Sequence, residues 1–190
     1  MTKLDYIEQI LSRHRSECLD LPTHTRAVVA LVLRAEKDGL EMLFIERASS
    51  ADDPWSGDVG FPGGKVEEGE NDLRLTAERE TREEIGLDLR VARYLGRLSD
   101  ISGAHLPVLV SCFVYGVEDQ PSFVFSHEID DAFWISLAAL TSPERHIMAL
   151  VRFDGKIFER PAIRLPQSGK PVLWGITFRL VNEFLELLRE

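Results

Sequence analysis

The chain has 190 residues, 44% of them apolar, which suits one domain with a full core and makes a globular fold, not disorder, the default. Lys and Arg number 22 against 32 Asp and Glu, a formal net charge of −10; this argues against nucleic-acid binding through a basic face, but not against a nucleotide enzyme, where metal ions reverse the field locally. No run approaches the ~20 apolar residues of a membrane span, and the start from Met1 to Tyr6 lacks the apolar stretch of a signal peptide. Cys18 and Cys112 are far apart and form no C-x-x-C, so a reduced, cytoplasmic protein with two small apolar thiols is expected.

Leu4, Ile7, Ile10 and Leu11 recur at helical spacing and predict a helix over 4–17, within an N-terminal helical extension covering 1–20. The run Arg26 to Arg34 is almost continuously apolar and reads as a central strand, with a second strand from Met42 to Arg47. Gly63-Gly64 and Gly69 mark turns before a helix over 73–85, which Asn71 or Asp72 can cap and Gly86 can stop. Strands at 95–99 and 107–117 follow. Asp154-Gly155 signals a hairpin between 147–153 and 156–160. Phe178, Val181, Phe184, Leu185 and Leu188 form the apolar stripe of a closing helix over 178–188. Strands on both sides of a helix predict an α/β (α+β) fold, a mixed sheet between helical layers, in one domain over 1–190.

The chemistry concentrates in Arg79-Glu80-Thr81-Arg82-Glu83-Glu84. On a helix, Glu80, Glu83 and Glu84 fall within an arc of roughly 100°. Carboxylates so close repel one another, and a divalent cation with oxygen ligands relieves them. Leu73, Ala77, Thr81 and Ile85 mark the inward face, and Glu80 and Glu84 lie within it, while Asn71, Glu78 and Arg82 lie opposite. An ordinary charged helix laced with pairs such as Arg79–Glu83 is the alternative. The inward carboxylates and the glycine loop ahead of them, which lets backbone approach a ligand, favour a site.

Together these residues resemble the Nudix box, G-x5-E-x7-R-E-U-x-E-E-x-G-U with U apolar. Gly64, Glu70, Arg79, Glu80, Glu83, Glu84, Gly86 and Leu87 match in a box region over 60–87. Thr81 stands where an apolar residue is usual, and eight residues instead of seven separate Glu70 from Arg79, which leaves the role of Glu70 open. The resemblance implies a Nudix α/β/α sandwich and Mg²⁺ or Mn²⁺ held by Glu80, Glu83, Glu84 and the Gly64 carbonyl. It further implies that Arg79 orients a glutamate and that water attacks a diphosphate bridge. Glu80, Glu83 and a carboxylate from a distant loop remain open as the general base. Dimers occur in the family, but the sequence marks no seam for a homodimer.

The extra residue is shared with the coenzyme A pyrophosphatase branch. Arg47 at the end of its strand and Phe61-Pro62-Gly63-Gly64 resemble that branch's upstream signature, and Leu173-Trp174-Gly175-Ile176-Thr177 resembles its W-G-x-T segment. Between these, the branch's basic L-R-x-H stretch is replaced by Ala51-Asp52-Asp53-Pro54-Trp55-Ser56 and its glutamine by Asp58. Arg47, Phe61, Gly63 and Gly64 are thus candidates for substrate binding.

Elsewhere, Glu128 lies in a stretch common in Nudix proteins and can supply an extra ligand or base; a solvated loop acid is the alternative. His105 can meet phosphate or be incidental, and Trp55 can stack on a base or anchor packing. Trp174 is expected to pack the last helix. The resemblance implies a small-molecule nucleotide substrate, with coenzyme A or a derivative preferred. Alternatives are ADP-ribose, NADH, a dinucleotide or an oxidised nucleotide, and a non-catalytic ligand-sensing module.

Overall fold

The computed structural model describes residues 1–49, 55–104, 106–118 and 121–189. The elements run α1 (Lys3–Arg13), β1 (Thr25–Glu36), β2 (Gly39–Arg47), β3 (Val59–Gly60), β4 (Gly63–Lys65), α2 (Leu73–Ile85), β5 (Arg93–Arg97), β6 (Ile101–Ser102), β7 (Val108–Val117), β8 (Ile129–Ser136), α3 (Leu137–Thr141), a 3₁₀ turn (Pro143–Arg145), β9 (His146–Phe153), β10 (Lys156–Ile163), β11 (Leu173–Trp174) and α4 (Gly175–Leu187).

The main sheet has the order β3-β2-β1-β7-β5, with β4 paired to β1, β6 to β7 and β8 to β2. It is mixed: β1 and β7 run parallel from Thr25↔Val108 to Arg34↔Val117, and the other pairs are antiparallel. The apolar runs of its central strands follow from burial on both faces. Val28, Ala30 and Val32 of β1 join Leu43, Ile45, Phe113 and Tyr115 in a core with Ala77 and Ile85 of α2. Leu31 and Leu33 point the other way, into a larger core with α1 and α4. A period of two along each strand therefore feeds two cores, and the helices lie on opposite faces of the sheet.

The α/β sandwich expected from the sequence is present. α2 matches its predicted bounds: the Asp72 side chain accepts from the Arg74 and Leu75 amides, and Gly86 ends the helix at φ 73°. The β9–β10 hairpin turns through Asp154 (φ 49°) and Gly155 (φ 70°), the left-handed pair that a tight hairpin requires.

Other expectations need correction. α1 stops at Arg13 rather than residue 17, because His14 is extended and the chain beyond it serves another purpose. There the Leu19 amide donates to Asp100, and the Glu17 carbonyl accepts from the Asp100 amide. Leu4, Ile7 and Leu11 of α1 are part of the larger core. The last helix begins at Gly175 and ends at Leu187. Cys112 is buried, where loss of solvation raises its thiol pKa, but Cys18 is exposed.

A second, three-stranded sheet, β11-β10-β9, stands beside the first, and α4 packs on β10 and β11. The cleft between these two units holds the site.

Candidate active site

α2 presents its carboxylates through two buried anchors. Ala77 and Thr81 are fully buried beneath the helix, and the Thr81 hydroxyl donates to the Ala77 carbonyl at 2.8 Å. The hydroxyl at a position usually apolar is therefore satisfied within its own helix. This seating turns Glu84 inward, to 4% exposure, and Glu80 toward the cleft.

The glycine loop is built for these two acids. The Gly63 amide donates to Glu84 Oε2 at 2.8 Å. Gly63 has φ 154°, and a Cβ there would stand 2.1 Å from the Val28 carbonyl oxygen, so only glycine lets β4 pair with β1 at this point. A Cβ on Gly64 would stand 2.5 Å from Glu80 Oε2.

Arg79 gathers the other acids. Its Nε donates to Glu70 Oε1 at 2.9 Å, Nη2 meets Glu80 Oε1 at 2.8 Å, and Nη1 donates to Glu83 Oε2 at 2.8 Å. The Glu67 amide also donates to Glu70, which Arg79 first and this amide second hold down to about 2. With eight residues between them, Glu70 and Arg79 are nevertheless paired. Glu83, by contrast, turns outward, with its side chain 60% exposed.

Burial pushes the Glu84 carboxyl up to about 8, against the pull of the Gly63 amide and of Arg47, whose Nη1 stands 3.5 Å from Glu84 Oε1. Loss of solvation raises Glu80 as well, opposed by Arg79. Glu128 adds negative charge near Glu84. The Ser126 amide donates to the Glu84 carbonyl, and the Ala48 amide to the Glu128 carbonyl, and these bonds bring the loop before β8 to the end of α2.

Among the described residues no three His, Cys, Asp or Glu side chains stand close enough together to hold a metal ion. The donor chemistry nevertheless fits a hard divalent cation. Glu80, Glu84 and Glu128 all border the cleft, and the side-chain donors they offer are carboxylate oxygens, the ligand type such a cation takes. The space beside Gly64 that a Cβ would fill keeps its backbone against Glu80.

These groups border a cleft of about 970 Å³. Arg47, Gly63, Gly64, Glu80, Glu84 and Glu128 all line it. Phe61 borders it too, but is 5% exposed and stacked on Phe44 at 5.2 Å, so it anchors the loop in the core. Trp55 packs against Phe153 and Phe153 against Trp174, each at 6.1 Å between ring centroids. Trp174 caps no more than the start of α4 by position; its indole N–H crosses to Asp58 Oδ1 at 3.0 Å. Asp58, which stands where the branch carries its glutamine, is therefore engaged by an indole donor. His105, Asp52 and Asp53 lie outside the described residues.

Sequence reasoning missed one acid. Glu78, placed on the outer face by the helical wheel, is 8% exposed and accepts from the Tyr115 hydroxyl at 3.0 Å. The strand signal around Tyr115 was legible, but nothing in the sequence paired the two.

The mixed sheet with helices on both faces, and a glycine loop facing an acidic helix, define an α/β/α sandwich with its cleft at that helix. The chain belongs to the Nudix family: the NUDIX domain model matches residues 23–158. It is 30% identical over 151 residues to mitochondrial coenzyme A diphosphatase NUDT8 of Homo sapiens, covering 77% of this chain and 62% of that protein. The Mus musculus protein of the same name is 30% identical over 185 residues, 95% of this chain and 85% of that one. Nudix hydrolase 15, mitochondrial, of Arabidopsis thaliana is 38% identical over 81 residues, 43% of this chain and 28% of that protein. Against the human and plant relatives the chain thus spans less than two thirds of their length. In fold it is similar to the NUDIX domain of Shewanella oneidensis NrtR complexed with ADP ribose, with a TM-score of 0.57 at 17% identity over 99% of each chain. Among the described residues no helix is long and apolar enough to cross a membrane.

Proposed function

We propose that this protein hydrolyses the diphosphate linkage of a nucleoside diphosphate derivative with the help of Mg²⁺ or Mn²⁺, and that coenzyme A or a derivative is its substrate, giving 4′-phosphopantetheine and 3′,5′-ADP. The observation that carries the reading is Glu84, a buried carboxylate fixed by the Gly63 amide at the floor of a cleft, with Glu80 against Gly64 beside it. Glu80, Glu84, the Gly64 carbonyl and Glu83, after a rotation away from Arg79, would hold the metal. A divalent ion in such a site shields phosphate charge and lowers the pKa of bound water. Arg79 keeps Glu80 and Glu70 in place, and Arg47 brings positive charge to the cleft near Glu84. Positioning and charge stabilisation are what transfer at phosphorus chiefly needs. Support for the coenzyme A assignment comes from the two NUDT8 relatives and from the Arg47 and Phe61-Pro62-Gly63-Gly64 signature.

Asp58 in place of the branch's glutamine favours a second reading, the same chemistry on another diphosphate such as ADP-ribose or NADH. The two thiols keep a reducing, cytoplasmic setting as the expectation, whereas the named mammalian relatives are mitochondrial.

Product analysis by mass spectrometry with Mg²⁺ or Mn²⁺, across coenzyme A, ADP-ribose, NADH, diadenosine polyphosphates and 8-oxo-dGTP, tests both. Release of 4′-phosphopantetheine and 3′,5′-ADP, lost in Glu84→Gln, supports the first reading. Cleavage of another compound alone selects the second, and no cleavage of any overturns both.

A further inference from the structure

Besides the α2 carboxylates, the cleft is lined by charged residues of β10 and α4 that the box chemistry does not use. Along β10, Ile157, Glu159 and Pro161 are exposed, while Phe158, Arg160 and Ala162 form the inward row. Arg160 therefore occupies an inward strand position, where an apolar residue is the ordinary choice. Its guanidinium lies 5.0 Å from the centre of the Phe158 ring, and Nη1 donates to the Glu159 carbonyl at 3.0 Å. Stacking and a backbone bond hold a planar five-donor group at the cleft border. Arg179 borders the same cleft from α4, which packs on β10, and donates to the Ser102 carbonyl at 2.7 Å. The row Trp55–Phe153–Trp174 lines this region too. Two arginines and a row of aromatic rings bordering one cleft suit a nucleotide phosphate and its base.

The upstream sequence supplies the complementary fact. The stretch Ala51 to Ser56, which replaces the branch's basic L-R-x-H segment, holds two aspartates and no Lys or Arg.

We propose that Arg160, with Arg179 bordering the same cleft, binds a phosphate monoester that is not part of the scissile diphosphate, such as a ribose 3′-phosphate, and so determines specificity. The substrate's nucleotide end then lies along β10 and α4, with its diphosphate at the α2 carboxylates. This deepens the hydrolase reading and rests on it for turnover, but binding tests it independently.

The test is calorimetric binding of 3′,5′-ADP and of 5′-AMP, with kcat/KM for coenzyme A and 3′-dephospho-coenzyme A measured alongside. The wild-type protein should prefer 3′,5′-ADP by about tenfold or more, the worth of a charge-assisted hydrogen bond. Arg160→Gln should reduce that preference to about twofold or less, leave 5′-AMP binding nearly unchanged, and narrow the kcat/KM ratio between the two substrates in parallel. Arg160→Lys should restore part of it. If Arg160→Gln lowers Tm by more than a few degrees, Arg160→Lys and Arg179→Gln read the same ratio. No wild-type preference, or a preference that survives in the folded variants, overturns the subsite. A preference lost with Arg160, in a protein that cleaves no diphosphate, keeps the subsite and rejects the hydrolase. Cleavage of coenzyme A with an unchanged ratio does the reverse.

Discussion

Gly64 and Glu80 meet so closely that a Cβ on Gly64 would stand 2.5 Å from the Glu80 carboxylate, whereas one on Gly63 would strike the Val28 backbone at 2.1 Å. Neighbouring glycines therefore serve different ends. Gly64→Ala should displace a flexible carboxylate and lower kcat by about a hundredfold, with little change in Tm. Gly63→Ala should destabilise the fold by about 2 kcal/mol or more, since both its φ and the strand pairing forbid a side chain. Thermal melts and steady-state kinetics on both variants check the contrast; equal Tm values would refute it.

Glu84→Gln should remove most turnover while the protein stays folded, and in the metal-free protein it should change the pH dependence of stability. The Glu84 carboxyl is raised from 4.5 to about 8 by burial. The folded state thus holds a proton between those values that the unfolded state releases, so this group makes stability fall as pH rises through that window. The Gln variant lacks the effect. In EDTA its stability relative to wild type should increase from pH 5 to pH 8, by about 2–4 kcal/mol, and level off above. Denaturant melts at several pH values measure it, and a constant difference would contradict the buried position.

Arg47 faces two ways. It lines the cleft, and its Nη1 is 3.5 Å from Glu84. Arg47→Ala should raise KM by about tenfold through lost ground-state phosphate binding, and should lower kcat by a smaller factor because Glu84 loses a neighbouring cation. Arg47→Lys keeps the charge and should recover kcat more than KM, since the guanidinium fork is lost. An unchanged KM in the alanine variant would remove Arg47 from substrate binding.

Much of this was legible because it repeats along the chain. The two-sided apolar run of β1, the 3.6-residue stripe of α2 with Asp72 and Gly86 at its ends, and the Asp154-Gly155 turn each declare their structure locally. The inward placement of Glu84 was equally clear from its neighbours Ala77, Thr81 and Ile85. What the sequence hid were contacts between distant segments. The Trp174 indole reaching Asp58, Arg47 beside Glu84 and the inward Arg160 depend on how the second sheet stands against the first. Glu83 shows the converse: helical spacing groups it with Glu80 and Glu84, yet Arg79 draws its side chain outward.

Glu78 was hidden for the same reason, and it yields a test separate from catalysis. Its carboxylate is buried and accepts from Tyr115 at 3.0 Å, while Arg74 Nε stands 3.6 Å away. Tyr115 itself is 1% exposed and packs edge-on against Tyr94 at 5.6 Å. Tyr115→Phe keeps the ring and its packing but leaves the carboxylate without its hydroxyl donor. Removing one partner of a buried hydrogen bond costs about 1–3 kcal/mol, the upper part applying when the other is charged. Because this pair lies in the α2 core and not among the residues lining the cleft, kcat and KM should change less than about twofold at a temperature where the variant is folded. Glu78→Gln in the Tyr115→Phe background should recover part of the loss, since a neutral amide is cheaper to bury than a carboxylate that has lost its hydroxyl donor. Denaturant melts of the two single variants and the double give the coupling between the residues. Additive losses would show that the hydroxyl contributes nothing to seating α2 on the sheet.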